Sequence, residues 1–109
     1  MNASVQNIFI FFLLLLTFDL SAQNKVITGT VTDNQNIPLY QATVLVQGTD
    51  NGSLTDEQGF FQIEADSSSV LEFSYVGFIK TLVHVGDQTQ INIQMIMANE
   101  LDEVVVIGY

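Results

Sequence analysis

Beyond Lys25 the apolar positions of this chain recur at every second residue in short runs, and turn-forming residues separate the runs. Val26-Ile27-Thr28-Gly29-Thr30-Val31-Thr32 is rich in β-branched residues and predicts a strand that ends at the polar turn Asp33-Asn34-Gln35-Asn36. Pro38 holds Ile37 in extended geometry. A second strand follows over Ala42–Gln47, with Ala42, Val44 and Val46 inward and Gly48 closing it. Asp56 and Gly59 suit the first and last positions of a type I turn. They predict a tight hairpin into Phe60–Glu64, where Phe61 and Ile63 share a face. Asp66-Ser67-Ser68-Ser69 is another turn. Val70–Tyr75 alternates, with Leu71, Phe73 and Tyr75 inward and Glu72 and Ser74 outward, and Gly77 predicts a bulge or bend. Phe78–Val85 and Gln90–Met97 supply two more strands, split by Gly86-Asp87-Gln88, with Ile91, Ile93, Met95 and Met97 on one apolar face. No stretch has a helical period. Six or seven short strands at regular spacing predict an all-β antiparallel sandwich over residues 23–98.

The two ends read differently. Ile8–Phe18 is almost wholly apolar but too short for the ~20 residues of a membrane-spanning helix. Ser21-Ala22-Gln23 follows at once, so residues 1–22 read as a secretory signal peptide cut near Ala22, although its first residues carry no Lys or Arg. After Ala98-Asn99-Glu100 breaks the strand pattern, Leu101-Asp102-Glu103-Val104-Val105-Val106-Ile107-Gly108-Tyr109 has high β-propensity and needs a strand partner. Two partners are open to it: the sheet of this domain, as an ordinary last strand, or the sheet edge of another protein, as a docking strand.

With 109 residues the chain holds one domain. Lys25 and Lys80 are its only basic side chains, and the net charge is −10. Loss of the leader removes only Asp19 and leaves eleven acids against two bases. Such a surface repels nucleic-acid phosphates and anionic lipid heads, and suits a basic protein partner or plain solubility. There is no Cys, so neither a disulfide nor a lipid-modified N-terminus is expected, and stability must come from a hydrophobic core. His84, the single His, lies in a predicted strand and reads as a surface residue. Asp50, Asp56 and Glu57 miss the alternate spacing of a Ca²⁺ loop. No Gly-rich phosphate loop or nucleophile–base pair stands out. These residues predict no enzyme, no metal and no cofactor.

Gly29-Thr30-Val31-Thr32-Asp33, Ile37-Pro38-Leu39 with Ala42-Thr43-Val44 and Gly48-Thr49, Gly52–Phe61, and Leu71–Phe78 resemble the carboxypeptidase-regulatory-like domain. The order of signal, sandwich and Leu-Asp-Glu-Val-Val-Val-Ile-Gly-Tyr resembles the N-terminal region of SusC-like TonB-dependent receptors. The resemblance covers Val26–Tyr109 and implies a seven-stranded Greek-key sandwich of transthyretin-like type. It also implies that residues 99–109 form a linker and TonB box, in which Glu103, Val104, Val105, Val106, Ile107, Gly108 and Tyr109 bind the periplasmic domain of TonB by strand addition. The tail is expected to be disordered until bound, and pulling on it would unlock the plug. Asn36 and Gln41 stand where the family often has Gly, and Phe78 where it often has Tyr. A plug and a barrel of ~22 strands at ~10 residues each do not fit in this length. The resemblance therefore implies a fragment or truncated product of an outer-membrane receptor for nutrients of the glycan or oligosaccharide class, exported and lying at the periplasmic face of the outer membrane. A surface lipoprotein would be a further partner of the parent. The alternative is a free-standing secreted binding or adhesion domain.

Overall fold

The computed structural model describes residues 23–98 and the main chain of Val105–Ile107. The expected signal peptide lies outside the described residues. The strands are β1 (Lys25–Thr32), β2 (Thr43–Val46), β3 (Gly52–Leu54), β4 (Phe60–Ala65), β5 (Val70–Ser74), β6 (Thr81–His84), β7 (Ile93–Gln94) and β8 (Val105–Ile107). They form two sheets, ordered β4-β1-β7 and β3-β2-β5-β6-β8. The expected all-β sandwich of seven strands is borne out over β1 to β7, and two pairings in the sheets, β1 with β7 and β6 with β8, are parallel rather than antiparallel.

Alternation builds the core. Val44 and Val46 from β2, Leu71 and Phe73 from β5 and Val83 from β6 face Ile27 and Val31 from β1 and Phe61 and Ile63 from β4, all buried. Phe61 and Phe73 meet edge to face across the two sheets, with ring centroids 5.4 Å apart, the arrangement that sets a positive ring edge against a negative face. Residues 90–97 cross between the layers. Gln90 and Ile93–Gln94 run parallel to β1, whereas Met97 bridges Phe78 in antiparallel sense. This is why the expected strand over Gln90–Met97 shrinks to two residues. At its centre the Asn92 side-chain oxygen accepts from both the main-chain N–H and the hydroxyl of Thr30, each at 3.1 Å, and so replaces a ladder bond. The Ile91 carbonyl approaches Gly29 so closely that a Cβ there would collide with it, which explains a Gly in the middle of β1. Ile91, Ile93 and Met95 are buried as expected, but Met97 is 55% exposed, because the chain has left the core by then.

The Asp56–Gly59 turn forms, with the Gly59 N–H donating to Asp56 O at 2.9 Å. It does not close a hairpin. β3, unpredicted, precedes the turn and pairs with β2, whereas β4 pairs with β1, so this turn carries the chain from one sheet to the other. The crossing is pinned by Thr55, which is 2% exposed. Its hydroxyl accepts from the Ala42 N–H at 2.8 Å and donates to the Leu39 carbonyl. Asn36 and Gln41, both at φ 64°, take up the left-handed conformations that a Gly would adopt freely.

Candidate functional site

Of the residues expected to form the docking strand, Val105, Val106 and Ile107 are described, and they form β8. Glu103, Val104, Gly108 and Tyr109 lie outside the described residues. The strand runs parallel to β6, with Val105 opposite Thr81, Val106 opposite Leu82 and Ile107 opposite Val83. The structure thus differs from a tail left free until bound, and adopts the pairing expected of a last strand.

The reason lies in the main chain of β6. Antiparallel ladders alternate between residue pairs that exchange hydrogen bonds and pairs that do not. Val85 N–H donates to Ser69 O at 3.0 Å, so the in-register pairs Leu71–Val83 and Phe73–Thr81 are the bonded ones. The bond from Gln47 N–H to Val70 O, at 2.8 Å, sets the other side of β5 in the matching phase, with Glu72 and Ser74 turned to β2. Thr81 and Val83 therefore spend their N–H and C=O groups on β5, while Leu82 and His84 turn theirs outward. An edge of this kind accepts an added strand. β8 occupies it.

The side chains around this edge offer little chemistry. His84 is exposed, as expected. Lys80 lies 3.8 Å from Glu72 in a solvent-facing ion pair of small energetic value. At the far end of β2 and β5, Tyr40, Gln41, Thr43, Ser74, Tyr75 and Val76 line an open hollow of about 740 Å³ without an acid or base. Among the described residues no group of three His, Cys, Asp or Glu side chains could hold a metal ion. Asp66 is held below the usual carboxylate range by the Ser68 and Ser69 hydroxyls and the Ser68 N–H, a turn-stabilising arrangement.

A sandwich of this topology, with a strand-accepting edge and no catalytic cluster in its described part, agrees with comparison to known proteins. The CarboxypepD_reg-like domain model matches residues 27–106. The chain belongs to the CarboxypepD_reg-like domain family. It is similar to TonB-dependent receptor P3 of Formosa agariphila, 38% identical over 99% of this chain and 11% of that receptor. TonB-dependent receptor SusC of Bacteroides thetaiotaomicron is 37% identical over 86% of the chain and 9% of SusC. The chain thus spans about a tenth of the length of the curated relatives it matches. A cohesin–X-dockerin complex from Acetivibrio cellulolyticus superposes with a TM-score of 0.53, at 17% identity, over 67% of this chain and 56% of that one, a likeness of fold alone. The Formosa and Bacteroides relatives of this CarboxypepD_reg-like domain are TonB-dependent receptors.

Proposed function

We propose that this chain is the exported, periplasmic front end of a SusC-like TonB-dependent outer-membrane receptor for nutrients of the glycan or oligosaccharide class. In this reading residues 1–22 are the signal peptide, 23–98 the sandwich, and 99–109 the linker and TonB box. Glu103–Tyr109 add as a strand to a sheet edge of the TonB periplasmic domain, main-chain hydrogen bonds giving affinity and alternate side chains giving register. The observation that carries the reading is similarity to TonB-dependent receptors along nearly the whole chain, ending on an acidic-then-β-branched strand. Plug and barrel belong to the remainder of such a receptor, and a surface lipoprotein to its outer side. With two basic side chains in the whole sequence, the chain offers nucleic acid no binding surface.

Replacing Val105 with Pro removes a ladder N–H and places a ring in the strand. Calorimetric titration with the TonB periplasmic domain should show affinity reduced at least ~10-fold, about 1.4 kcal/mol. Unchanged affinity would refute strand addition at this position. The pairing of β8 with β6 gives a second reading its support, in which β8 is a structural strand of a free-standing secreted binding domain. Immunoblotting of fractionated cells separates the two. A receptor-sized band in the outer membrane supports the first, and a small periplasmic band the second.

A further inference from the structure

We propose that the outer edge of β6 is a docking site for the chain's own coupling strand, so that the sandwich and TonB compete for Val105–Ile107. The inference rests on the TonB-box reading above and adds to it a second, intramolecular partner for the same residues.

The register places Val106 opposite Leu82, whose main-chain N–H and C=O are turned away from β5. In a parallel pair, the residue that turns both groups to its neighbour bonds to the two residues flanking its opposite number. Leu82 therefore engages Val105 and Ile107, and these two residues direct their own N–H and C=O groups at β6. Of the three residues of β8, only Val106 presents its main chain to the open side. A single residue cannot fix the register of an incoming strand. A partner that reads Val105–Ile107 by strand addition must therefore take it off β6, since occupation of β6 hides the main-chain groups of two of these three residues. Of the other edges, β3 has three residues and β7 two, while β4, the six-residue edge of the other sheet, pairs with β1 alone among the described strands. The neighbouring side chains place no charge repulsion in the way, since Glu72 is paired with Lys80 and His84 is the only other ionisable group on the strand.

The sequence has no Cys, so a pair of introduced thiols reports on this contact without interference. In the Leu82→Cys/Val106→Cys protein, mild oxidation should close a disulfide, whereas an Asn51→Cys/Val106→Cys control should stay reduced. The oxidised pair should bind the TonB periplasmic domain at least ~10-fold more weakly than the same protein after reduction. Failure to crosslink, with binding of the reduced protein intact, would overturn the docking site and leave the TonB-box reading standing. Equal affinity of the oxidised and reduced forms would overturn the competition, because it would mean TonB adds to the open side of β8. Because Val106 is itself a residue of the box, the TonB-box reading is judged on the unmodified chain: failure of that chain to bind the TonB periplasmic domain would overturn the reading and the competition with it. A readout free of introduced residues comes from amide exchange of the unmodified chain. The Leu82 N–H should exchange faster when TonB is added, while Leu71 on β5 keeps its protection; a Leu82 amide unmoved by saturating TonB would count against the proposal.

Discussion

Thr55→Val tests the account of how the two sheets are joined. Val has nearly the shape of Thr, so the substitution opens no cavity, and only the hydroxyl is lost. That hydroxyl satisfies two main-chain groups on the segment before β2, the Ala42 N–H at 2.8 Å and the Leu39 carbonyl. Ala42 is fully buried and Leu39 is 7% exposed, so water does not readily replace the lost partner. Leaving a buried polar group unsatisfied costs about 1–3 kcal/mol, and two are stranded here. The extra methyl in the core returns about 0.8 kcal/mol. The net loss should be about 3 kcal/mol, or about 15 °C in melting temperature for a domain of this size. Urea unfolding followed by far-ultraviolet circular dichroism measures it directly, with the slope unchanged if the native fold persists. Thr55→Ser keeps the hydroxyl, loses one methyl and should cost only about 1 kcal/mol. If Val is as stable as Thr, or if Ser is worse than Val, the hydroxyl is not what holds the crossing.

Two more expectations concern the turns. Gln41 sits at φ 64°, where a non-Gly side chain costs about 1–2 kcal/mol and Gly loses about 0.4–1 kcal/mol to its freer unfolded chain, so Gln41→Gly should stabilise by about 0.5–1 kcal/mol in the same urea assay. Asn36→Gly, at the same φ, should gain less because Asn tolerates this region; a larger gain at Asn36 would contradict the argument. The Asp66 carboxyl is held below its ordinary value chiefly by the Ser68 hydroxyl, so its stabilising contribution is complete above the unfolded-state pKa and is lost as pH falls through the lower folded value. Asp66→Asn should therefore flatten the loss of urea midpoint below about pH 4, and a decline parallel to that of the unmodified protein would show that the turn contributes nothing.

The buried face of each strand was legible in the sequence because a period of two fixes which side chains point inward: Val44, Leu71, Phe73, Ile91, Ile93 and Met95 are all in the core. Partners were not legible, because alternation names a face and not a neighbour. The sequence marks the Asp56–Gly59 turn but not its consequence, since a type I turn can close a hairpin or change sheets, and the choice depends on β2 capturing β3 locally and β1 capturing β4 by long-range pairing. β3 itself, Gly52-Ser53-Leu54, has almost no strand propensity. It is held by its position after the Thr49 turn, where the Val46 N–H bonds to the Asn51 carbonyl at 2.9 Å. Met97 continues the alternation of its run but not its burial, because the run bridges β1 at one end and Phe78 at the other. In the tail, the strand-forming tendency of Val105–Ile107 was evident. That β6 offers it an edge was not, since the direction of the Leu82 and His84 main chain is set by the phase of the β5 ladder.

The energetics of that edge suit the proposed exchange of β8 between the sandwich and a partner. Ordering the three residues of β8 costs about 1–2 kcal/mol each in main-chain entropy. The two bonds made by Leu82 return about 0.5–1.5 kcal/mol each as net contributions. Main-chain terms alone therefore leave the docked and released states within a few kcal/mol of one another, with β-branched residues tilting the balance because little strand-incompatible freedom remains to be lost. Under the proposed function, deep docking would make Val105–Ile107 unavailable to TonB. No docking would leave a β-branched run exposed beside an open sheet edge, the arrangement most prone to edge-to-edge aggregation. A short parallel strand of three residues, on the weaker of the two ladder geometries, lies between these limits: it covers the β6 edge, yet a longer antiparallel or parallel pairing with a partner can outcompete it.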